Sequence, residues 1–177
     1  GQSDVDVSIK FDEELRVLRE KLFNKEFAAI YSSPLQRCHK LAQALSVDDT
    51  LNFSERNIVL DARLKELHFG DWELSSWDDI PRDIFDPWAN DYANLAPPNG
   101  ETFTQLHLRA KSFVEEVTAH SQGKHILVIT HGGLIRALIA EVLQIPLKRL
   151  FRMTIDYASV TQLEFNGEVP KVNFMNR

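Results

Sequence analysis

The sequence predicts an α/β protein, a three-layer α/β/α sandwich around a mostly parallel central sheet. Helical periodicity alternates with short apolar runs along most of the chain, as in proteins that connect parallel strands through helices. The run at residues 125–130 is almost entirely apolar, which is typical of a strand covered on both faces. A length of 177 residues suits one domain with a single core, so we assign residues 1–177 to one domain.

The first third of the chain contains two predicted helices with a strand between them. Residues 1–6 are small and polar, so we predict a loop there. Apolar side chains from Phe11 onward recur every three or four positions, which predicts a helix that ends near Lys25. Residues 27–31 form an apolar run of strand length, and Pro34 favours the start of the next helix.

The middle of the chain is less regular. Residues 58–60 predict another short strand. Residues 75–98 hold two tryptophans, several prolines and many Asp and Asn residues, so we predict an irregular, partly helical excursion that caps another part of the molecule. Helical periodicity returns over residues 101–120 and stops at a Ser-Gln-Gly sequence.

The last third of the chain begins with the buried strand predicted at residues 125–130. The pair Gly132-Gly133 follows it and leads into a further helix. Residues 158–165 and 169–174 predict two strands joined by a turn, because the Asn-Gly between them is a turn dipeptide. These two strands predict an antiparallel edge on the sheet.

Composition and charge exclude several classes of function. The chain has 20 Lys and Arg against 26 Asp and Glu, a formal net charge of −6, and no dense basic run. Nucleic acids and anionic membranes are therefore not expected as partners. Cys38 is the single cysteine and forms no internal disulfide, and no window approaches the ~20 apolar residues of a membrane span. We expect a cytoplasmic protein, and a homodimer is compatible with the sequence.

Two strand-to-helix junctions, at residues 31–37 and 129–134, place polar groups beyond the carboxyl ends of strands. Open α/β sheets bind ligands at that edge, where helix N-termini offer free N–H groups to an anion such as phosphate. Gly132 permits close approach of the backbone, Arg37 supplies a permanently charged fork, and His131 can donate a hydrogen bond to developing charge. Each residue also has a plainer interpretation: the glycine can simply form a tight turn, the arginine can lie on the surface, and the histidine can cap the end of the strand.

Four short motifs extend this pattern over most of the chain. They are Ser-Ser-Pro-Leu-Gln-Arg at 32–37, Glu-x-x-x-Gly-Asp-Trp-Glu at 66–73, Asn-Gly-Glu-Thr at 99–102 and Thr-His-Gly-Gly at 130–133. With these motifs in this order, the sequence resembles the histidine phosphatase superfamily, which includes cofactor-dependent phosphoglycerate mutases and many small phosphatases. The four motifs together are far more specific than any one of them.

The resemblance implies a set of site residues. Arg37, His131 and the Gly132 amide match the family's phosphate pocket, and Glu66 matches its proton donor. The negative charge of a bound phosphoryl group favours the protonated form of a nearby carboxyl, which suits that role. The resemblance also covers supporting or substrate-binding positions, which are Gly1, Gln2, Ser33 and Glu101. Glu101 matches a residue that hydrogen-bonds near the catalytic histidines, and its charge equally suits a helix N-terminus.

The family's nucleophile is a histidine in an Arg-His-Gly or Arg-His-Thr segment at the end of the first strand, and no such tripeptide occurs here. The remaining histidines lie in other contexts; they are His39, His68, His107, His120 and His125. We therefore expect an N-terminal strand ahead of Gly1 that carries the nucleophile and one more arginine. The implied reaction is two-step phosphomonoester hydrolysis through a phosphohistidine, with neither cofactor nor metal. Without such a strand, the expected function is phosphate-ligand binding or a structural role.

Within the superfamily, residues 64–73, residues 98–103 and the tryptophan-rich excursion are most similar to α-ribazole phosphatases of cobalamin synthesis. The flat heterocycle of α-ribazole 5′-phosphate suits stacking on Trp77, Trp88 or Tyr92, and the same rings equally suit the core of the excursion. A phosphoglycerate mutase and a broad-specificity small-molecule phosphatase are the alternatives within the enzyme class.

Overall fold

The computed structural model describes residues 1–177 and has helices on both faces of a parallel sheet. In chain order the helices and strands are α1 (Phe11–Leu22), β1 (Glu26–Phe27), β2 (Ala29–Ser32), α2 (Gln36–Ser46), β3 (Asn52–Phe53), β4 (Ile58–Leu60), α3 (Arg82–Asn90), α4 (Phe103–His120), β5 (Ile126–Ile129), α5 (Gly132–Leu143), β6 (Gln162–Glu164) and β7 (Lys171–Phe174). Short 3₁₀ helices lie at Ala62–Leu64, Gly70–Trp72, Trp77–Asp79 and Leu147–Arg152. No helix combines the length and apolar character that a bilayer crossing needs.

The central sheet has the strand order β4-β2-β5, and its three strands run parallel. Side chains alternate between the two faces of a strand, so β2 sends Ile30 toward α1 and α2 and Tyr31 toward α4 and α5. β5 alternates in the same way, with Ile129 on the first side and Val128 on the second. The predicted α/β sandwich with a mostly parallel sheet is confirmed.

Buried apolar side chains form two clusters, because the sheet separates the helical layers. Ten buried residues, mostly from α1, α2 and the adjoining strands, form one cluster, and 17 form the other, around α4 and α5. In the larger cluster, Phe113 meets Tyr31 edge-on with ring centroids 5.3 Å apart. The single core expected from the chain length is therefore wrong.

Four of the five predicted strands are shorter in the structure, and two of them differ the most. The run at 27–31 is divided into β1 and β2 at Ala28, whose N–H donates to the carbonyl of His125 at 2.8 Å. The run at 158–165 is reduced to β6, and ahead of it Val160 exchanges two backbone hydrogen bonds of 3.1 Å with Arg177. β6 and β7 pair antiparallel, as predicted, but they form a separate two-stranded sheet and not an edge of the central one.

Residues 75–98 contain one 3₁₀ turn and α3, and the remainder is irregular, as predicted. Trp88 and Tyr92 from this segment are buried in the cluster around α4 and α5. α4 begins directly after a capping box: Thr102 Oγ1 accepts from Gln105 N at 3.1 Å, and Gln105 Oε1 accepts from Thr102 N at 2.8 Å. These reciprocal bonds satisfy two backbone donors that the helix itself leaves free.

A cleft of about 1150 Å³ is lined by β5, α1 and residues 157–165. β5 pairs with β2 along one edge, and its other edge has no strand partner. The cleft walls are largely apolar and include Leu18, Leu127 and Leu163. Polar residues from the two predicted junctions, His131 among them, also line the cleft.

Candidate active site

Parallel pairing of β2 and β5 brings the two predicted junctions together. Ser32 lies opposite Ile129 in the sheet register, so Ser33 and His131 follow at the same sheet edge. Ser33 N donates to Ile129 O at 2.9 Å, and Ser33 Oγ lies 2.8 Å from His131 Nε2. Ser33 and His131 are both buried. The structure therefore places an imidazole between the first turns of α2 and α5.

His131 is neutral in the folded protein. Burial, reinforced by the positive charge of Arg37, lowers the pKa of His131 to about 3. A neutral imidazole has one N–H donor and one acceptor nitrogen, so His131 can both contact Ser33 and offer a hydrogen bond.

Cys38 packs beside this imidazole, with its Sγ atom 3.5 Å from His131 Nε2. Burial raises the pKa of Cys38 to about 12, so the side chain remains a thiol at neutral pH. No group of three or more His, Cys, Asp or Glu side chains is arranged to hold a metal ion. Cys38 thus fills space next to His131 and has little nucleophilic character.

Arg37 lies in the first turn of α2, and its guanidinium holds the N-terminal segment. Nη2 donates to Gly1 O at 2.7 Å, and Nη1 donates to Ser3 O at 2.9 Å. An arginine has five N–H donors, so three remain for other partners. Arg37, His131 and Gly132 line the same cleft, so the structure brings together the three residues that the resemblance assigned to the phosphate pocket.

Glu73 anchors the N-terminal segment from the opposite side. Its carboxylate accepts from Gln2 N at 2.6 Å, Ser3 N at 3.0 Å and Ser3 Oγ at 2.6 Å, and also from Phe69 N at 3.0 Å. Burial alone raises the pKa of Glu73, but these hydrogen bonds outweigh it and lower the pKa to about 2. Gly1 packs so closely that a Cβ there would collide with this carboxylate. Residues 1–3 are therefore fixed beside Arg37.

Glu66 places its carboxylate at the N-terminus of α5. Oε2 accepts from Gly133 N at 3.0 Å, and Oε1 accepts from Leu67 N at 2.8 Å. A Cβ at Gly133 would collide with this carboxylate, so glycine permits the approach. Gln2 Nε2 donates to the Glu66 carbonyl at 3.0 Å. Glu66 thus lines the cleft with His131, as a proton donor for a group bound there requires.

Glu101 contacts the segment that carries Glu66 and binds no histidine side chain. No hydrogen bond joins Glu101 to His131; its Oε1 instead accepts from His68 N at 2.9 Å and from Arg109 Nη2 at 2.5 Å. Glu101 precedes the Thr102 cap of α4, which agrees with the helix-terminus interpretation. Arg109 links Glu101 to the carbonyl of Glu66.

Three charged residues of the site were missed by sequence reasoning. Glu73 belongs to a recognised motif, yet its contacts with residues 1–3 cross about 70 positions of the chain. Arg109 lies on the apolar face of α4, between Leu106 and Ala110. A charged residue on an otherwise apolar helix face indicates a buried partner of opposite charge or polarity. Arg136 lines the cleft from α5, and nothing in its local sequence distinguishes it from a surface arginine.

Aromatic side chains of the excursion mostly form core. Trp88 is 6% exposed and Tyr92 is 7% exposed, so neither offers a free ring face to a ligand. Trp77 is half-exposed and stacks on Trp88 with centroids 5.7 Å apart. Of the three rings considered for stacking, Trp77 alone keeps a face open to solvent.

Comparisons with known proteins point to one family. The family model of the histidine phosphatase superfamily (branch 1) matches residues 1–177. A Hydrogenobacter thermophilus protein provisionally named phosphoserine phosphatase 2 is 28% identical over 180 residues, covering 100% of this chain and 86% of the relative. The adenosylcobalamin/alpha-ribazole phosphatase of Escherichia coli K12 is 23% identical over 179 residues, covering 99% and 86%. The solved structure of mycobacterial glucosyl-3-phosphoglycerate phosphatase has a TM-score of 0.83 and 27% identity, covering 99% and 89%.

The depressed pKa of His131 predicts a loss of stability in mild acid. The unfolded chain takes up a proton near pH 6.5, whereas the folded protein does so only near pH 3, so stability falls as pH drops through this window. Between pH 7.5 and 5, we expect the free energy of unfolding to fall by about 2 kcal/mol through this residue. Urea unfolding of wild type and His131→Gln checks this, because the variant should lose that part of the pH dependence; parallel curves contradict it.

Proposed function

This chain belongs to the histidine phosphatase superfamily and is a phosphatase, and on that premise we propose that it hydrolyses small phosphomonoesters through a phosphohistidine intermediate. The observation that carries the proposal is the convergence of Arg37, His131 and Glu66 on one cleft at the N-terminus of α5. A cation, a neutral hydrogen-bond donor and a carboxyl are the groups that phosphoryl transfer to and from a histidine requires.

The nucleophilic histidine in this proposal lies on a β-strand outside residues 1–177 that fills the cleft. The free edge of β5 offers backbone hydrogen bonds to such a strand, and the apolar walls offer burial for its side chains. A strand parallel to β5 ends at the same sheet edge as Ser33 and His131. A histidine at its carboxyl end would therefore face the groups that bind the phosphoryl oxygens.

The proposed reaction has two steps. The histidine attacks phosphorus in line, its nitrogen bonds to phosphorus, and the ester bond to the alcohol oxygen breaks. The three remaining N–H groups of Arg37, together with His131 and the Gly132 amide, stabilise the equatorial oxygens, and Glu66 gives its proton to the leaving alkoxide. Water then attacks the phosphohistidine and returns a proton to Glu66, and the nitrogen–phosphorus bond breaks.

α-Ribazole 5′-phosphate is the first candidate substrate. The Escherichia coli relative is named for this activity, at 23% identity over 99% of the chain. Trp77 supports this substrate, because its ring is half-exposed to solvent. The ring packs edge-on against Phe69, whose backbone N–H donates to Glu73 at the cleft. A flat heterocycle can stack on such a face.

A phosphomonoester that also carries a carboxylate is the second candidate, favoured by Arg136. Its Nε donates to Met153 O at 2.8 Å, whereas its two Nη groups make no hydrogen bond within the chain. The guanidinium lies close to the phosphate pocket, because Nη1 is 2.9 Å from the position that a Cβ on Gly132 would take. Two relatives are named for substrates of this kind, phosphoserine and glucosyl-3-phosphoglycerate.

Replacing Glu66 by Gln tests the proposed proton donor. For benzyl phosphate, whose alkoxide needs a proton to leave, we expect kcat/KM to fall by about 10²- to 10⁴-fold. For p-nitrophenyl phosphate, whose phenolate leaves more readily, we expect a loss below about tenfold. Steady-state kinetics on both esters, with protein that includes the proposed nucleophile strand, provide the measurement, and Glu115→Gln, at an exposed carboxylate on α4, is the control. Equal losses on the two esters remove Glu66 from this role.

Replacing Arg136 by Gln separates the two candidate substrates. O-Phosphoserine and O-phosphoethanolamine differ by one carboxylate, so an arginine that binds this group affects only the first. We expect kcat/KM of the variant to fall about tenfold or more for phosphoserine and to stay within about twofold for phosphoethanolamine. Loss on both esters, or on neither, contradicts the second candidate. The first candidate is supported if the wild type has its highest kcat/KM for α-ribazole 5′-phosphate and Arg136→Gln leaves that value unchanged.

A further inference from the structure

We infer that Arg109 is a positioning residue for the reaction: its guanidinium fixes the backbone of residues 63–66 and thereby holds the Glu66 carboxyl at the N-terminus of α5. The inference rests on the proposed role of Glu66 as proton donor. Arg109 belongs to α4 and binds the segment through backbone carbonyls.

Every N–H of the Arg109 guanidinium has a partner within the chain. Nη1 donates to the carbonyls of Arg63 and Lys65, both at 2.6 Å. Nη2 donates to the Glu66 carbonyl at 2.9 Å and to Glu101 Oε1 at 2.5 Å, and Nε donates to Glu101 Oε2 at 3.1 Å. These are five bonds from five donors, so none remains for a phosphoryl oxygen. Arg109 therefore acts through the backbone that it binds.

The segment that carries Glu66 depends on these bonds for its shape. Residues 62–64 form a single 3₁₀ turn, which supplies few backbone hydrogen bonds of its own. Arg109 takes the carbonyls of Arg63, Lys65 and Glu66, and Thr130 Oγ1 takes the carbonyl of Leu64 at 2.7 Å. Carbonyls left unpaired in a half-buried segment carry a free-energy cost, so loss of the guanidinium favours another backbone path.

Glu101 keeps the guanidinium in place. Its two carboxylate oxygens meet Arg109 Nε and Nη2 side by side, and the side chains are 16% and 19% exposed. His68 N also donates to Glu101 Oε1, so the carboxylate links Arg109 to the chain on the far side of Glu66. The Glu66 backbone is thus held between two anchored positions, and its side chain can reach Gly133 N.

A lysine at position 109 retains the charge but loses this geometry, because an ammonium is a point donor and cannot span three carbonyls and a carboxylate. Displacement of a reacting group by about 1 Å can cost about 100-fold in rate. For Arg109→Lys we expect kcat/KM to fall about 30- to 100-fold on benzyl phosphate, which needs the proton, and less than about threefold on p-nitrophenyl phosphate.

The matched control is Arg56→Lys. Arg56 also holds a loop through backbone carbonyls, donating to Ser46, Asp48 and Leu51, but it does not line the cleft. We expect this variant to lose stability and to change kcat/KM for the two esters by the same factor. The contrast separates an effect on the proton donor from a general loss of packing.

A double variant tests whether Arg109 acts through Glu66. If it does, Arg109→Lys added to Glu66→Gln leaves kcat/KM for benzyl phosphate at the value of Glu66→Gln alone. Additive losses, or equal losses of Arg109→Lys on the two esters, overturn the inference. If thermal unfolding shows that Arg109→Lys does not fold, Glu101→Gln serves instead, with a smaller loss in the same direction expected and equal losses on the two esters overturning the inference.

The same measurements distinguish this inference from the proposed function. If Glu66→Gln affects both esters equally, the role of Glu66 fails and the inference fails with it. If Glu66→Gln discriminates between the esters and Arg109→Lys does not, only the role of Arg109 is overturned.

Discussion

Parallel pairing between β2 and β5 is the constraint on which the candidate site depends. The two strands run in the same direction, and Ser32 lies opposite Ile129. Both strands therefore end at one edge of the sheet, where α2 and α5 begin. The first turns of two helices thus come together with their free N–H groups. A shift of the register by one residue would send alternate side chains to the other face and separate Ser33 from His131.

Around this edge, ionic side chains hold the backbone segments next to the reacting groups. Glu73 binds amides of residues 1–3, and Arg109 binds carbonyls of residues 63–66. In a protein with a net charge of −6, a neutral His131 and three spare N–H groups on Arg37 provide local attraction for an oxyanion. Loop segments, which alone would be mobile, become precise enough for catalysis through these buried hydrogen bonds.

Local sequence was sufficient for most elements and for the two junctions, because periodicity and turn residues act over a few positions. Arg37 and His131 could be paired from the rule that parallel strands end together. Arg109 and Glu73 could not, since most of the backbone groups that they bind lie about 40 to 70 positions away in sequence. The burial of Trp88 and Tyr92 was equally beyond local patterns, because it depends on how residues 75–98 fold back onto α4.

The central claim is that Arg37 and His131 bind the same oxyanion. Binding of orthovanadate tests it, because orthovanadate is a phosphate analogue that can adopt the geometry of phosphoryl transfer. Isothermal titration compares wild type with Arg37→Gln and with the exposed control Arg16→Gln. The account predicts affinity about tenfold to 100-fold weaker for Arg37→Gln, since charge-assisted hydrogen bonds contribute about 1.5–3 kcal/mol, and unchanged for the control. Equal affinity in wild type and Arg37→Gln would contradict it.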